Sequence, residues 1–574
     1  MSMRKITLIL AALVALATTA LADDQTAFTF NWAHSVDGAT TGGDNIIGMA
    51  KTTGGDYYVV TQWGTNSKNQ MNLWFDKETI KGTDGAAITG SPYTGNSINR
   101  NMLVQKVTNA GSVVWNAYTR KGDVDHDKTQ LAATKDGGML AVIKTRAWVA
   151  EAGYDNLIEY VDPTGHVTTI KDMANVGSEY RYLLLKIDAD GQLAWSRLIA
   201  GKVETRKQGQ TKDNMSVYGV TLDDQDNIYL TGNFRTEMYL KKADGTIETL
   251  VAQNTANWEG DSQNVVGDLF LAKLDQNGYL VKTLTAEGIA TSAFLDKVIY
   301  TDGKIFFNGR VQAKAGNDIT LGGKAITATT DCENLILGSV NTTDLSVNYV
   351  KTIAPTGSKK TIQNNGIQYL DGYVYLTGST MGGLTDIYEN ATGAHRGYLL
   401  KVNPATGEVE KSAIYLNSKG ISKFYGIYLN GETMYAFGYD MGAQGAIVVP
   451  VNASSLALGT ATTICKYGTV AACTTPLIDG DNMIMANRGR AAATFDGTDV
   501  SFSGLQNWGT VYYSYKLASI PTGVSAIETS TQAAGYSVYT TDGALVKTAA
   551  TYAEATQGLA HGIYVIGGKK VTID

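Results

Sequence analysis

The chain has 574 residues and a net charge of −7, with 44% hydrophobic and 18% charged residues. This length exceeds what one ordinary core holds, so several domains or a repeat array are expected, and the apolar content excludes a disordered chain. Because the chain is modestly acidic and has no basic stripe, it is a poor candidate for nucleic-acid binding.

The N-terminus has the three parts of a secretory signal peptide. Arg4 and Lys5 form the basic part, residues 6–17 the apolar part, and Ala-Leu-Ala at 20–22 the cleavage site. The apolar run is too short to span a membrane stably. We therefore expect cleavage near Ala22, export, and a mature chain without a transmembrane segment.

Residues 27–519 repeat a pattern of four short strands separated by turns rich in Asp, Gly and Asn. The clearest copy, 216–286, has strands at 217–222, 228–232, 269–274 and 279–284. The second strand recurs seven times, at 57–60, 140–143, 228–232, 305–309, 374–378, 434–438 and 483–486. The third strand recurs around Lys106, Lys186, Lys273, Ser339, Lys401, Pro450 and Lys516.

The seventh copy lacks a fourth strand, because 513–517 runs directly into Pro521. A spare strand stands at 28–35 and carries Trp32 at the position of Trp115 and Trp195. Pairing that strand with 512–517 removes an exposed edge and closes a ring. The sequence therefore predicts an all-β chain built on a seven-bladed β-propeller that is closed by its N-terminal strand.

The loops after the second strands differ most in length, while the other turns stay short. They cover 64–101, 146–180, 235–266, 312–333, 380–396 and 489–510, and the sixth copy has only a tight turn. Since these loops leave the same end of every blade, we expect one elaborated face and one plain face.

Second strands end in Tyr-Leu-Thr-Gly at 229–232 and 375–378, and third strands have the form Lys-apolar-Asp at 186–188 and 273–275. This combination resembles the SBBP-like β-propeller repeats of secreted bacterial proteins. The resemblance covers about 27–519 and implies the fold. It says little about function, because propellers serve as binding proteins, lyases, hydrolases and scaffolds.

Tryptophan placement is the main indication of ligand binding. Trp32, Trp115 and Trp195 share one position in their strands, which predicts packing between blades. The candidate ligand-binding residues lie in the long loops or at their start: Trp63, Trp74, Trp148, Trp258 and Trp508. Exposed aromatic rings suit stacking on sugars or anchoring a protein partner, although loops of this size also need such residues for small cores of their own.

Catalytic and metal-binding patterns are weak. None of the five histidines has the spacing of a metal site, and no GxSxG, P-loop or Rossmann motif has the required context. The acidic turns at 188–191 and 223–227 lack the terminal Glu of a calcium loop, so turn formation is favoured. We predict no metal and no cofactor. Loop carboxylates leave an acid/base pair for glycoside chemistry open: Asp76, Glu151, Asp155, Glu259 and Asp261.

The three cysteines leave two alternatives open. Cys465 and Cys473 lie close enough in sequence to form a disulfide in an oxidising compartment, or both are buried apolar residues. Cys332 has no obvious partner.

The tail, 520–574, begins a new unit with Tyr-Ser-Val-Tyr at 536–539, a turn at 540–543 and a strand at 544–546. Leu-Ala-His-Gly-Ile-Tyr-Val-Ile at 559–566 and Gly-Gly-Lys-Lys-Val-Thr-Ile at 567–573 follow. These elements resemble the C-terminal sorting domain of type IX secretion substrates in Bacteroidota. The resemblance implies a small β-sandwich-like domain, the outer-membrane secretion machinery as partner, and a location at the cell surface or in the medium.

Together these features favour a secreted or surface-attached binding protein. Its expected ligand is a glycan or an extracellular protein on the long-loop face. A secreted polysaccharide hydrolase or lyase built on a propeller is the alternative.

Overall fold

The computed structural model describes residues 28–38, 45–63, 73–82, 85–88, 100–121, 123–146, 148–149, 155–171, 181–201, 215–253, 267–357, 360–384, 394–416, 418–430, 433–467, 474–479, 482–490, 492–495, 497–501, 508–517, 536–540, 544–549, 552–566 and 569–573. The chain divides into two compact units, one of them formed by 28–429 with 433–517. Regular structure in the described residues is almost entirely β, which confirms the all-β prediction. No helix within them has the length and apolar character needed to cross a membrane.

In its described residues, the larger unit contains seven sheets built on four core strands, which we call a, b, c and d. In sheets 1 to 7, strands a are Asn45–Lys51, Asp123–Ala133, Met215–Leu222, Ala290–Thr301, Ile362–Leu370, Ser422–Asn430 and Leu477–Asp479. Strands b are Tyr57–Trp63, Met139–Arg146, Ile228–Phe234, Lys304–Ala313, Tyr373–Thr380, Thr433–Asp440 and Asn482–Arg490. Strands c are Asn101–Val107, Arg181–Ile187, Asp268–Leu274, Asn334–Asn341, Arg396–Val402, Gly445–Asn452 and Trp508–Leu517. Strands d are Val113–Arg120, Leu193–Gly201, Leu280–Glu287, Val347–Ile353, Val409–Ile414, Thr462–Tyr467 and Phe28–Gly38.

Strands b and c are the most deeply buried, because sheets cover both of their faces. Every residue of Tyr57–Trp63 and of Ile228–Phe234 is buried. Each large core joins consecutive sheets: Tyr58 and Leu183, for example, belong to one cluster across sheets 1 and 2. This burial on both faces explains why these strands are continuous apolar runs rather than alternating ones.

The predicted pairing of the N-terminal strand with the last strand c is confirmed. Phe28–Gly38 runs antiparallel to Trp508–Leu517, with Phe28 opposite Leu517 and Val36 opposite Thr510. The strand therefore completes sheet 7, although it lies more than 400 residues away from the rest of that sheet in sequence.

The long loops contain an element that the sequence analysis did not predict. Five of them form a hairpin that pairs with strand d of the preceding sheet, and we call these the crossover hairpins. They widen sheets 7, 1, 2, 3 and 6, in that order, with Leu73–Phe75 and Glu78–Thr79, Glu159–Val161 and Val167–Thr169, Glu237–Lys241 and Ile247–Val251, Thr320–Leu321 and Lys324–Ala325, and Ala492–Phe495 and Thr498–Ser501. Two further two-stranded pairs are Trp148–Val149 with Asp155–Asn156, and Pro355–Thr356 with Gly383–Leu384.

The crossover hairpins carry core residues as well as edge strands. Tyr160 and Ile170 enter the core between sheets 1 and 2, and Met238 and Leu240 enter the core between sheets 2 and 3. Part of each long loop thus serves packing and edge pairing, whereas the sequence predicted only an elaborated face. Pairing between segments so far apart leaves no mark in local periodicity.

Tryptophans of strand d pack against glycines in the c–d turn of the next sheet. The pairs are Trp32 with Gly111, Trp115 with Gly191, and Trp195 with Gly278. A Cβ at Gly111 would lie 2.8 Å from the Trp32 ring, and the Trp32 indole N–H donates to the Asn109 carbonyl at 3.1 Å. The predicted packing of these three tryptophans between sheets is confirmed.

The second unit includes 518–574. Its described strands form one four-stranded sheet in the order Leu545–Ala549, Tyr536–Thr540, Gly562–Ile566, Lys569–Ile573. Ala555 of the short helix Tyr552–Thr556 packs with Val538 and Ile566 in a small core. The predicted strands are present, and the described residues form a single sheet with a helix rather than two facing sheets.

Candidate functional site

Each sheet has a long-loop end and a short-turn end. Strand pairing places the end of strand b beside the start of strand c, as with Trp63 opposite Asn101 and Phe234 opposite Asp268. The start of strand a lies at this same end, as with Met215 opposite Phe234. The a–b and c–d turns lie at the opposite end.

The carboxylates of the acidic turns at the short-turn end accept hydrogen bonds from backbone N–H groups of their own turns. Asp223 Oδ1 accepts the N–H groups of Gln225 at 2.9 Å and Asn227 at 3.0 Å, and Asp188 Oδ1 accepts those of Asp190 and Gln192. Burial opposes ionisation of Asp223, but hydrogen bonds led by that of the Asn227 side chain hold its pKa below the usual value. These carboxylates build turns. Within the described residues there is no group of three or more His, Cys, Asp or Glu that could hold a metal ion.

The five predicted tryptophans do not form one described surface. Trp63 is fully buried in the core that also contains Val59 and Tyr512, so its ring presents no face to a ligand. The backbone of Trp508 lies in strand c of sheet 7, and that of Trp74 lies in the crossover hairpin that widens this sheet. The backbone of Trp148 lies in a separate two-stranded pair. The side chains of these three, and all of Trp258, lie outside the described residues.

Among the predicted loop carboxylates, only the side chain of Asp76 is described. Its Oδ2 lies 2.6 Å from His34 Nδ1, and its Oδ1 accepts the backbone N–H of Ser35 at 2.8 Å. Asp76 thereby joins a crossover hairpin to the closing strand. Glu151, Glu259, Asp261 and the side chain of Asp155 lie outside the described residues, as does Cys473. Cys332 and Cys465 are buried, and the disulfide between Cys465 and Cys473 stays a prediction.

Strands a, which we call the inner strands, surround a cavity of about 420 Å³. Strands a of sheets 1 to 6 line it, and Thr474, Thr475 and Leu477 line it from sheet 7. Representative residues of the six strands are Gly48, Gln130, Gly219, Lys297, Gly366 and Tyr425. Sequence reasoning did not identify this cavity.

A bulge at a corresponding point of strand a shapes the cavity wall. Register breaks precede Gly48 in sheet 1, Gly219 in sheet 3 and Gly366 in sheet 5, and they precede Gln130 and Lys297 in sheets 2 and 4. Glycine suits this point because neighbouring inner strands approach closely. The signal available in the sequence was a glycine followed by an apolar residue that recurs in strands a, as in Gly-Met at 48–49.

At Gly366 the approach between inner strands is closest. A Cβ there would lie 2.5 Å from the carbonyl oxygen of Tyr425 in sheet 6 and 2.5 Å from the Thr377 hydroxyl. At Gly219 a Cβ would meet the Thr231 hydroxyl at 2.6 Å and the Asp296 carbonyl at 3.2 Å. The inner strands therefore leave room for little more than backbone at these points.

An ion-pair network borders the cavity between sheets 4 and 5. Arg310 holds the buried Asp296 carboxylate with two hydrogen bonds, at 2.9 and 3.1 Å, and Glu333 with a third at 3.0 Å. Asn364 donates to Asp296 at 2.8 Å and accepts from the Tyr398 hydroxyl at 2.6 Å. Although burial disfavours its charge, Asp296 and Glu333 raise the pKa of Arg310. Both carboxylates share one guanidinium, so neither is available as a free acid or base.

Lys297 lies beside this network but outside it. In the described part of the chain its ammonium makes one hydrogen bond, a long one of 3.5 Å to the Tyr218 carbonyl. Burial lowers the pKa of Lys297, and the charge of Asp296 opposes that effect only in part.

A second polar cluster lies between sheets 5 and 6. The hydroxyl of Ser379 is 3.3 Å from His395 Nδ1, and burial followed by the charge of Lys423 lowers the pKa of His395. Ser379 is completely buried. A nucleophile needs access to its substrate, so this pair serves packing rather than catalysis.

No family model and no curated protein matches the sequence. The chain is similar to solved structures of β-propeller proteins. The Dos1 propeller is 10% identical over 86% of this chain and 96% of that one, with a TM-score of 0.37. BamB from Moraxella catarrhalis is 15% identical over 78% and 98%, with a TM-score of 0.34. A PL25 ulvan lyase is 8% identical over 82% and 96%, with a TM-score of 0.36.

Proposed function

We propose that residues 28–517 form a seven-bladed β-propeller that acts as an exported binding protein, with its ligand at the central cavity and the loops around it. The observation that carries this proposal is the cavity, to which all seven sheets contribute. Sheets that share one central space around a ring are the arrangement of a propeller. Small ligands bind preferentially in such concave sites.

The ionisable groups near the cavity favour binding over glycoside cleavage. Hydrolysis by two carboxylates needs one acid and one free carboxylate on either side of the scissile bond. Asp296 and Glu333 are both bound to Arg310. Farther out, Asp125 lies 3.1 Å from Arg100. These three carboxylates are therefore neutralised in ion pairs, and the ligand class we retain is a glycan or an extracellular protein.

The binding experiment uses the mature chain, residues 23–574, on a glycan array and on an array of extracellular proteins. Gln130→Trp fills the cavity, and the variant W74A/W148A/W258A removes three loop rings. We expect at least one bound ligand, lost with Gln130→Trp if the cavity holds it and with the triple variant if the loops do. A ligand unaffected by both variants, or no ligand on either array, contradicts the proposal.

Export completes the proposed function. The signal peptide at 1–22 would carry the chain across the inner membrane, and 520–574 would engage the outer-membrane secretion machinery for delivery to the cell surface or medium. Support comes from the motif elements at 562–566 and 569–573, which are adjacent strands. In cell fractionation, a chain ending at Ser519 should remain inside the outer membrane. Unchanged surface delivery of this shortened chain would rule out the sorting role.

A further inference from the structure

The central cavity has a net charge that the fold does not require. Of the described residues that line it, Lys297 is the only charged one, and none is acidic. We propose that the cavity binds a ligand through an oxyanion group, such as a carboxylate, phosphate or sulfate, with the ammonium of Lys297 as its counter-charge. This inference rests on the proposed function and names the chemistry of the ligand.

The ammonium of Lys297 has unused donor capacity. A lysine ammonium donates three hydrogen bonds, and within the described residues this one makes a single contact at 3.5 Å, beyond the range of a strong hydrogen bond. The nearest carboxylate in sequence, Asp296, is already held by Arg310 and Asn364. A lysine in a partly enclosed site without a carboxylate partner is rare in proteins.

The fold alone does not explain a lysine at this position. The corresponding residue after the bulge is Gly48 in sheet 1, Gly219 in sheet 3 and Gly366 in sheet 5. The bulge in sheet 4 is fixed by backbone, since the N–H of Lys297 donates to Asn308 Oδ1 at 3.1 Å. The side chain therefore adds a charge where other sheets need none. Because burial disfavours that charge, a ligand that compensates it gives the lysine a reason to be there.

The size and lining of the cavity suit a small anionic molecule. Its volume of about 420 Å³ lies within the range of small-molecule sites, roughly 300–1,000 Å³. Apolar Ile47, Val298 and Ile367 alternate with polar Gln130 and Asn365 around it. A lysine acts as a point charge toward phosphate, sulfate or carboxylate, and amide groups supply neutral hydrogen bonds.

The test measures thermal unfolding and isothermal titration of the mature chain with four probes at matched ionic strength. Sulfate and phosphate represent free inorganic anions, glucuronate an organic carboxylate, and glucose its neutral counterpart. We expect at least one oxyanion to bind and to raise the melting temperature, while glucose does not. A response to the inorganic ions alone identifies a free anion, and a response to glucuronate alone identifies an organic carboxylate; either supports the inference.

Two substitutions locate the site. Lys297→Met should abolish the response, whereas Lys297→Arg, which keeps the charge, should retain at least part of it. The control is Lys423→Met, because Lys423 is also half-buried on an inner strand and has a pKa lowered by burial, but does not line the cavity. That variant should respond as the wild type does. The melting temperature without ligand shows whether each variant folds.

Two results would overturn the inference: no oxyanion bound by the wild type, or binding that survives Lys297→Met. Either leaves the proposed function standing if an array ligand is still lost with Gln130→Trp. In that case the cavity binds its ligand without a counter-charge from Lys297. If no oxyanion binds and no array ligand is lost with Gln130→Trp or with W74A/W148A/W258A, the proposed function is contradicted as well.

Discussion

Sheets 1, 2, 3, 6 and 7 have six strands each in the described residues, whereas sheets 4 and 5 have only four. For sheet 5, the smaller number of strands follows from the b–c loop of sheet 6, the next sheet along the chain. Sheet 6 has only a tight turn at 441–444 between strands b and c, so no hairpin reaches strand d of sheet 5. For sheet 5, the tight turn in the next sheet therefore leaves strand d as the edge.

The two groups of sheets protect their edges differently. A crossover hairpin covers the last two or three residues of strand d. Its own outer strand is short, as with Lys324–Ala325 on sheet 3, and short edge strands resist pairing with other chains. In sheet 5 strand d itself, Val409–Ile414, is the edge and exposes Glu410 and Lys411. Sheets 4 and 5, which have no crossover hairpin in the described residues, share the Asp296–Arg310 network. They also share the core that contains Leu337 and Leu376 and the strand pair of Pro355–Thr356 with Gly383–Leu384.

The largest effect is expected from removing the N-terminal strand, which completes sheet 7 and would close the proposed ring. Deletion of residues 27–37 leaves strand c of sheet 7 paired on one side only, with strand b. It also removes Val36 from the core that it shares with Val59 and Trp63 of sheet 1. We expect the mature chain to lose its cooperative unfolding transition or its melting temperature to fall by more than about 15 °C. A shift of this order is expected from the loss of several kcal/mol in the free energy of unfolding. Circular dichroism checks this, and an unchanged melting temperature would show that the strand is not a closing element.

Asp296→Ala tests the link between the two four-stranded sheets. It leaves the half-buried Arg310 with Glu333 as its only carboxylate partner among the described residues, and breaking a buried ion pair costs up to about 3–5 kcal/mol. Denaturant unfolding measures this loss. The double variant D296L/R310M removes both charges and should recover most of it. If Asp296→Ala costs less than about 1 kcal/mol, the network does not link these sheets.

Leu240→Ala tests whether a crossover hairpin belongs to the core. Leu240 is buried between sheets 2 and 3, so we expect a loss of about 2–4 kcal/mol in the free energy of unfolding. The matched control is Val251→Ala on the same hairpin, which is 64% exposed and should cost less than about 0.5 kcal/mol. Equal effects of the two changes would mean that the hairpin only decorates the sheet.

The smallest effect on stability, but a visible one on association, is expected at the edge of sheet 5. The variant E410V/K411V makes that edge apolar and should cause concentration-dependent self-association in sedimentation velocity. Lys466→Val serves as control and should sediment as the wild type does, because the exposed Lys466 lies on strand d of sheet 6 where the crossover hairpin pairs with it. Self-association of the control, or none in the edge variant, would remove the distinction between the two groups.

The fold was largely predictable, because strands b and c are apolar runs bounded by turn residues. Even the closing strand was predictable, since Trp32 matches Trp115 and Trp195 in position. The crossover hairpins were not, because the partners of Glu159–Val161 lie about 40 residues away and local periodicity carries no pairing information. Trp63 was misassigned because a loop boundary in sequence does not reveal that the strand continues into the core.

The candidate site was less predictable than the fold. Lys297 belongs to no motif, and the bulge before it shifts the alternation of side chains, so its place in the cavity follows only from the register of strands a and b. The acidic turns, by contrast, were interpretable from composition because Asp, Asn and Gly act through their own backbone.

The closure of the ring is tested most directly by a disulfide across the closing strand. Thr29 pairs with Lys516 in the register of sheet 7, and both are exposed. In the variant T29C/K516C, oxidation followed by proteolysis should give a peptide pair linked through positions 29 and 516, which joins the two ends of the 28–517 unit whether or not Cys465 and Cys473 are also linked. The control T29C/V114C places the second cysteine on strand d of sheet 1 and should stay reduced. A link in the control and none in T29C/K516C would contradict the closed seven-sheet ring.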